Sequence, residues 1–306
     1  MRTALALAVA AAALAAPGGS GAKHEAVTLG VLGDPARFEQ LTGQHTTTRL
    51  LIGAWNQGYL PQLLQTMGEA PMLGINAGAT PSPLQIARGA GDAFLVSVNS
   101  AIHGFGGTVY LRPLAEMNGY WNGYCAYEQN GTSRGPDYST AAFRKAFARI
   151  ALIARGDPAA SAKLRRLGLP PAPAGLQPNP NVLLVWNPQG YGSPDLPDNS
   201  ANAYYPGDAY VDIVGDDLYD IRGKAEWPAA ERLYASHPGK PFAFPEWGLW
   251  GIDQPSFVQA MTSFVRAHPR TELISYYNGK PGSVFDLASK PASRAAYRKL
   301  ILPLAR

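Results

Sequence analysis

Eight short apolar runs, rich in β-branched and aromatic residues, recur along this chain, and helical stretches lie between several of them. The runs are AVTLGVLG (26–33), TRLLIGAW (48–55), PMLGINA (71–77), TVYLRPLAE (108–116), NVLLVWNP (181–188), VDIVGDDLYD (211–220), PFAFPEWG (241–248) and ELISYYNG (272–279). Helical spacing of apolar residues marks 91–106, 139–156, 227–237, 254–268 and 293–305. Strands that alternate with helices pair in parallel, because a parallel partner is reached only by a crossover. Eight such strands favour closure, so the expectation is an α/β fold, a single-domain (β/α)8 TIM barrel. An open doubly wound sheet would carry a G-x-G-x-x-G turn after its first strand, and none follows 26–33.

A hydrophobic fraction of 46% and a charged fraction of 16% supply a sizeable core and exclude a disordered chain. The net charge of +4 is spread out except in KLRRLG (163–168), which argues against a nucleic-acid partner. The N-terminus MRTALALAVAAAALAAPGGSGAK has a basic residue, an apolar stretch too short for a bilayer and small residues near Ala22. It reads as a signal peptide over 1–22, leaving 23–306 as a secreted domain with no membrane attachment. An uncut anchor is the alternative. The single cysteine, Cys125, can form no intramolecular disulfide. The Pro/Ala-rich stretch 156–181 reads as a connector on the barrel face opposite the active site.

Acids stand at the ends of three strands. Alternation puts Tyr110, Arg112, Leu114 and Glu116 on one face, and Phe242, Phe244 and Glu246 on another. Gly215, Asp217 and Tyr219 likewise share a face. If those faces look into the barrel, Glu116 and Glu246 meet at its C-terminal rim, where such barrels build active sites. Two carboxyl groups in unlike environments are what glycosidic cleavage needs, one to protonate the leaving oxygen and one to attack the sugar. Flat side chains suit the C–H faces of sugar rings. Trp55, Trp121, Tyr219, Trp247, Trp250 and Tyr277 all fall at or just past strand ends.

LRPLAEMNGYW, YYPGDAYVDIVGDDLYD and PFAFPEWG resemble the motifs of glycoside hydrolase family 26, and GDAFLVSVNSAI resembles its segment before the fourth strand. The resemblance covers most of residues 27–290. It implies a retaining (β/α)8 β-glycanase of the β-mannanase type, with Glu116 as acid/base and Glu246 as nucleophile. It further implies that Tyr219 hydrogen-bonds the nucleophile and that Trp121 lines the cleft. The family pattern places His immediately before the acid glutamate, and Ala115 stands there. The backbone sugar is therefore open among mannan, β-glucan and xylan.

The expected substrate-binding set is Trp55, Asn118, Trp121, Tyr219, Trp247 and Tyr277, with Arg112 and Asp217 supporting the carboxyl groups. The expected partner is a polysaccharide or oligosaccharide, bound by a monomer. No metal or other cofactor is expected, because His24, His45, His103, His237 and His268 show no ligand spacing. A non-catalytic carbohydrate-binding barrel would keep the aromatics and lose the acids. A serine amidase or esterase would carry a G-x-S-x-G turn, which is absent.

Overall fold

The computed structural model describes residues 26–305, so the expected signal peptide lies outside the described residues. Eight strands form a closed parallel barrel in sequence order. They are β1 (Thr28–Gly33), β2 (Thr48–Ala54), β3 (Met72–Asn76), β4 (Val109–Pro113), β5 (Val182–Trp186), β6 (Ile213–Ile221), β7 (Phe242–Trp250) and β8 (Thr271–Asn278). The α-helices are α1 (Pro35–Thr42), α2 (Leu60–Gln65), α3 (Pro83–Ala87), α4 (Asp92–Phe105), α5 (Thr140–Arg155), α6 (Ala160–Arg166), α7 (Trp227–Ser236), α8 (Pro255–Ala267) and α9 (Pro291–Ala296). None is long and apolar enough to cross a membrane.

Local chemistry sets several boundaries. Asp34 caps α1 by accepting from the Ala36 and Arg37 amides, Pro35 opens the helix, and Gly43 closes it at φ 82°. Ser82 and Gln85 form a reciprocal capping box on α3. At Gly156, which ends α5 at φ 58°, a Cβ would come within 1.9 Å of the Gln177 carbonyl oxygen, so only glycine fits. The stretch 156–181 contains the short α6 and then runs without regular structure to the start of β5, at the N-terminal end of the strands. The expected C-terminal helix begins as α9, widens by one turn over Tyr297–Ile301 and tightens over Leu302–Leu304.

Among the described residues, two apolar clusters form the core. The larger lies between strands and helices, while the smaller draws on every strand: Leu32, Leu50, Met72, Tyr110, Leu183, Val185, Ile213, Ala243 and Leu273. Leu32, Leu50, Met72, Tyr110 and Leu183 are successive register partners, which makes them one row inside the barrel. Ile52, Gly74 and Arg112 form the next row toward the C-terminal mouth.

That inner row corrects the expected faces of β7 and β4. Ala243, not Phe242 or Phe244, points inward. Between Ala243 and Glu246 the strand advances three residues while β6 advances two, from Gly215 to Asp217. The same extra residue appears against β8, where Phe244 pairs with Ile274 and Trp247 with Tyr276. It is a β-bulge at Pro245, which has no N–H to give a ladder. The bulge reverses the alternation, turning Glu246 inward and Trp247 outward. On β4, Tyr110 and Arg112 do share the inner face. The strand ends at Pro113, however, and Leu114 and Glu116 take left-handed φ values of 52° and 54°. Leu114 therefore joins the outer core, and Glu116 reaches the mouth from a loop. Side chains at positive φ each cost about 1–3 kcal/mol and cluster at functional sites.

Candidate active site

Glu116 and Glu246 face a common cavity of about 650 Å³ at the C-terminal mouth of the barrel. Trp121 and Tyr191 stand on one wall, with Tyr219, Trp250, Tyr277 and Phe285 on the other. The second wall is a continuous aromatic cluster: Tyr277 stacks on Phe285 at 4.3 Å, and Trp250 meets Phe285 edge-on at 4.8 Å. Toward β2 and β3 the two acids border a smaller recess of about 50 Å³, beside Ile52, Gly74, Asn76 and Ala115.

The two carboxyl groups have different partners. Glu246 accepts from Arg112 Nη1 at 2.6 Å and from the Tyr219 hydroxyl at 2.6 Å. The buried guanidinium of Arg112 also donates to Asp217 and, through Nε, to Asn187 at 2.9 Å. Asp217 in turn accepts from the Glu246 amide at 3.1 Å, fixing the main chain just past the bulge. Glu116 instead accepts from neutral donors: the Trp121 indole at 2.7 Å on Oε2 and the Gln189 amide at 2.5 Å on Oε1. Desolvation, and then the charge of Glu246, push the Glu116 carboxyl above its ordinary range. One guanidinium thus faces three carboxyl groups and hydrogen-bonds Glu246 and Asp217 but not Glu116; burial pushes the Asp217 carboxyl above its ordinary range as well.

The remaining expected residues divide. Trp121 is 48% exposed and Tyr277 half-buried, both against the cavity. Asn118 is fully buried and works as a clamp, donating to the carbonyls of Gln189 and Tyr191 and accepting from the Gln189 amide. Trp55 is buried against Phe94, 5.1 Å away, under the start of α4. Trp247 is fully buried among Phe257, Tyr276 and Tyr297. Neither Trp55 nor Trp247 offers a face to a sugar, because both belong to the outer core. Trp247→Ala is expected to cost about 3–5 kcal/mol of folding stability. Trp250→Ala, at 44% exposure, should cost under about 1 kcal/mol while raising KM for polysaccharide. Denaturant unfolding and steady-state kinetics on both variants check this contrast.

Sequence reasoning did not single out Gln189, Tyr191 and Phe285. The first two follow β5 in NPQGYG, at the kind of strand end that yielded the glutamates. Phe285 lies in the loop after β8 and has no pattern of its own.

Asp216 is buried behind this loop and accepts from the Gly190 amide at 2.8 Å. Burial pushes its carboxyl up to about 8, against the opposing effect of that amide. A carboxyl whose folded pKa lies above its unfolded value of about 3.9 stays protonated while the unfolded chain ionises. It therefore destabilises the fold increasingly from about pH 4 to about pH 8. Asp216→Asn keeps an acceptor for Gly190 and removes that penalty. Its gain should be absent near pH 4 and reach roughly 2–4 kcal/mol at pH 7, as read by denaturant unfolding across pH.

Several solved structures are similar to this chain. They include the Bacillus subtilis mannanase man26, 18% identical, covering 91% of this chain and 86% of that chain with a TM-score of 0.62. A family 26 β-mannanase from Bacteroides ovatus is 15% identical, with 91% and 89% covered and a TM-score of 0.56. A β-mannanase from a symbiotic protist of the termite Reticulitermes speratus, solved with a gluco-manno-oligosaccharide, is 16% identical over 91% and 87%, at 0.56. The chain has the fold of the family 26 glycoside hydrolases. No protein-family model matches it, and no curated protein matches it by sequence.

Proposed function

We propose that the chain is a retaining glycoside hydrolase that cleaves a β-linked polysaccharide within the chain, in the manner of an endo-β-mannanase. The observation that carries this reading is the unlike pairing of two carboxyl groups in one aromatic-walled cleft. Glu246, against Arg112 and Tyr219, is the nucleophile and forms the glycosyl-enzyme bond. Glu116, driven to hold a proton, gives it to the departing oxygen and then takes one from the water that releases the sugar. Trp121, Trp250, Tyr277 and Phe285 supply the surfaces on which sugar rings stack. The family 26 fold supports the same reading. Ala115 leaves the recess beside the acids unfilled, so mannan, β-glucan and xylan all belong in the test. Residues 1–22 would direct export, and the domain would act as a secreted monomer.

The experiment is a reducing-sugar assay of the purified protein against mannan, glucomannan, β-1,3- and β-1,4-glucans and xylan. Release of oligosaccharides from one of them supports the proposal. Binding to a polysaccharide with no release of reducing ends would make the domain a carbohydrate-binding barrel instead.

A further inference from the structure

We propose that Gln189 is the positioning residue of the general acid, holding one oxygen of Glu116 and setting the pH at which that group gives up its proton. The inference rests on the assignment of Glu116 as acid/base made above.

Three observations carry it. First, the two donors on Glu116, the Gln189 amide N–H on Oε1 at 2.5 Å and the Trp121 indole on Oε2 at 2.7 Å, can give hydrogen bonds but take no proton through those nitrogens. They fix the carboxyl plane between them. Second, the main chain that carries this side-chain amide is held in place. Gln189 is 6% exposed, its N–H donates to Asn118 Oδ1 at 2.9 Å, and its carbonyl accepts from Asn118 Nδ2 at 2.8 Å. The next amide, of Gly190, donates to Asp216 at 2.8 Å. Asn118 lies two residues beyond Glu116, and the Glu116 amide itself donates to the Asn187 carbonyl at 2.7 Å. The segment that bears the acid thus grips the main chain that bears its partner. Third, the nearby cation does not hydrogen-bond Glu116. The hydrogen bonds of Arg112 go to Asn187, Asp217 and Glu246.

The other titratable groups acting on Glu116 are Glu246 on β7, Asp217 and Asp216 on β6 and Arg112 on β4. The phenols of Tyr124, Tyr191 and Tyr219 also lie within its field. Lys224 and Glu226 stand farther along the cleft. Against burial and the charge of Glu246, which push Glu116 up, a neutral donor on Oε1 favours its ionised form without adding charge. It makes the protonated group a stronger acid toward a poor leaving group.

The test compares wild type with Gln189→Met, near in size and without a donor, and Gln189→Glu, near in size with a like charge. Circular dichroism first establishes that each variant is folded. The basic limb of kcat/KM, which reports the acid in the free enzyme, should move up by about 1–2 pH units in Gln189→Met and farther in Gln189→Glu. Turnover of the polysaccharide should fall by about 10–100-fold in Gln189→Met, whereas an aryl glycoside with a good leaving group should lose only a few-fold. A purely structural role would lower both rates alike and leave the limb in place.

A second readout needs no activity. In protein labelled with ¹³C at the glutamate carboxyl, the Glu116 resonance is identified by its loss in Glu116→Gln, and its titration midpoint should rise in the same order. If the wild type cleaves none of the glycans, the glycosidase reading fails, yet this titration still decides whether Gln189 governs Glu116. An unchanged midpoint in both folded variants would overturn the proposal.

Discussion

Glu246→Ala is expected to lower hydrolysis of both the polysaccharide and an activated aryl glycoside by at least about 10⁵-fold. The reason is that no covalent intermediate can form without it, whatever the leaving group. The variant should still fold, since Glu246 lies at the mouth and its removal leaves both apolar clusters intact. Azide is small enough to enter the space vacated by the carboxylate. It should restore turnover of the aryl glycoside and give an α-glycosyl azide, inverted at the anomeric carbon. Rates with and without azide, and the product configuration by NMR, check this. Wild-type turnover in Glu246→Ala would remove it from the nucleophile role.

Glu116→Ala should behave differently on the two substrates. Protonation matters most where the leaving group is poor, so the polysaccharide should lose about 10²–10⁴-fold. The first step on an activated aryl glycoside needs little such help. Release of the glycosyl-enzyme does need a base, so the intermediate should accumulate and appear as a burst of aryl alcohol. Azide, which needs no base, should then release a β-glycosyl azide with retained configuration. Equal losses on both substrates, with no burst, would show that Glu116 is not the acid/base.

The barrel was legible in the sequence because each strand run kept its β-branched and aromatic bias and each long helix kept its apolar face. Helices α1 to α3 are too short for periodicity to reveal, but the caps of α1 and α3 are written in Asp34-Pro35 and in Ser82-Pro83 with Gln85, while α2 has no side-chain cap. The candidate cleft was legible in the two acids that border it and less so in its walls. Alternation led to Glu246 by a route the structure corrects. A strict strand would have turned Ala243 and Pro245 inward and Glu246 outward, and the bulge at Pro245 reverses that. A proline inside a central strand was the available signal. The same reversal removes Trp247 from the cleft and places Trp250 in it. Trp55 illustrates a different limit: position past a strand end does not say which way a large ring turns, and Phe94 offered it a buried partner. Asn118 and Gln189 became intelligible only together, because their hydrogen bonds link loops separated by about seventy residues.

The proposed role of Glu246 is to carry the sugar between two chemical steps. It is tested most directly by incubating the protein with activated 2-deoxy-2-fluoro β-glycosides of the manno, gluco and xylo series and measuring intact mass, followed by peptide mapping. The fluorine slows both steps, and the reactive leaving group lets the first proceed. One of these reagents is expected to add a single glycosyl unit to the peptide containing Glu246, and Glu246→Ala is expected to remain unlabelled. A label on a different carboxylate, or inversion of configuration in the first product of the wild type, would contradict it.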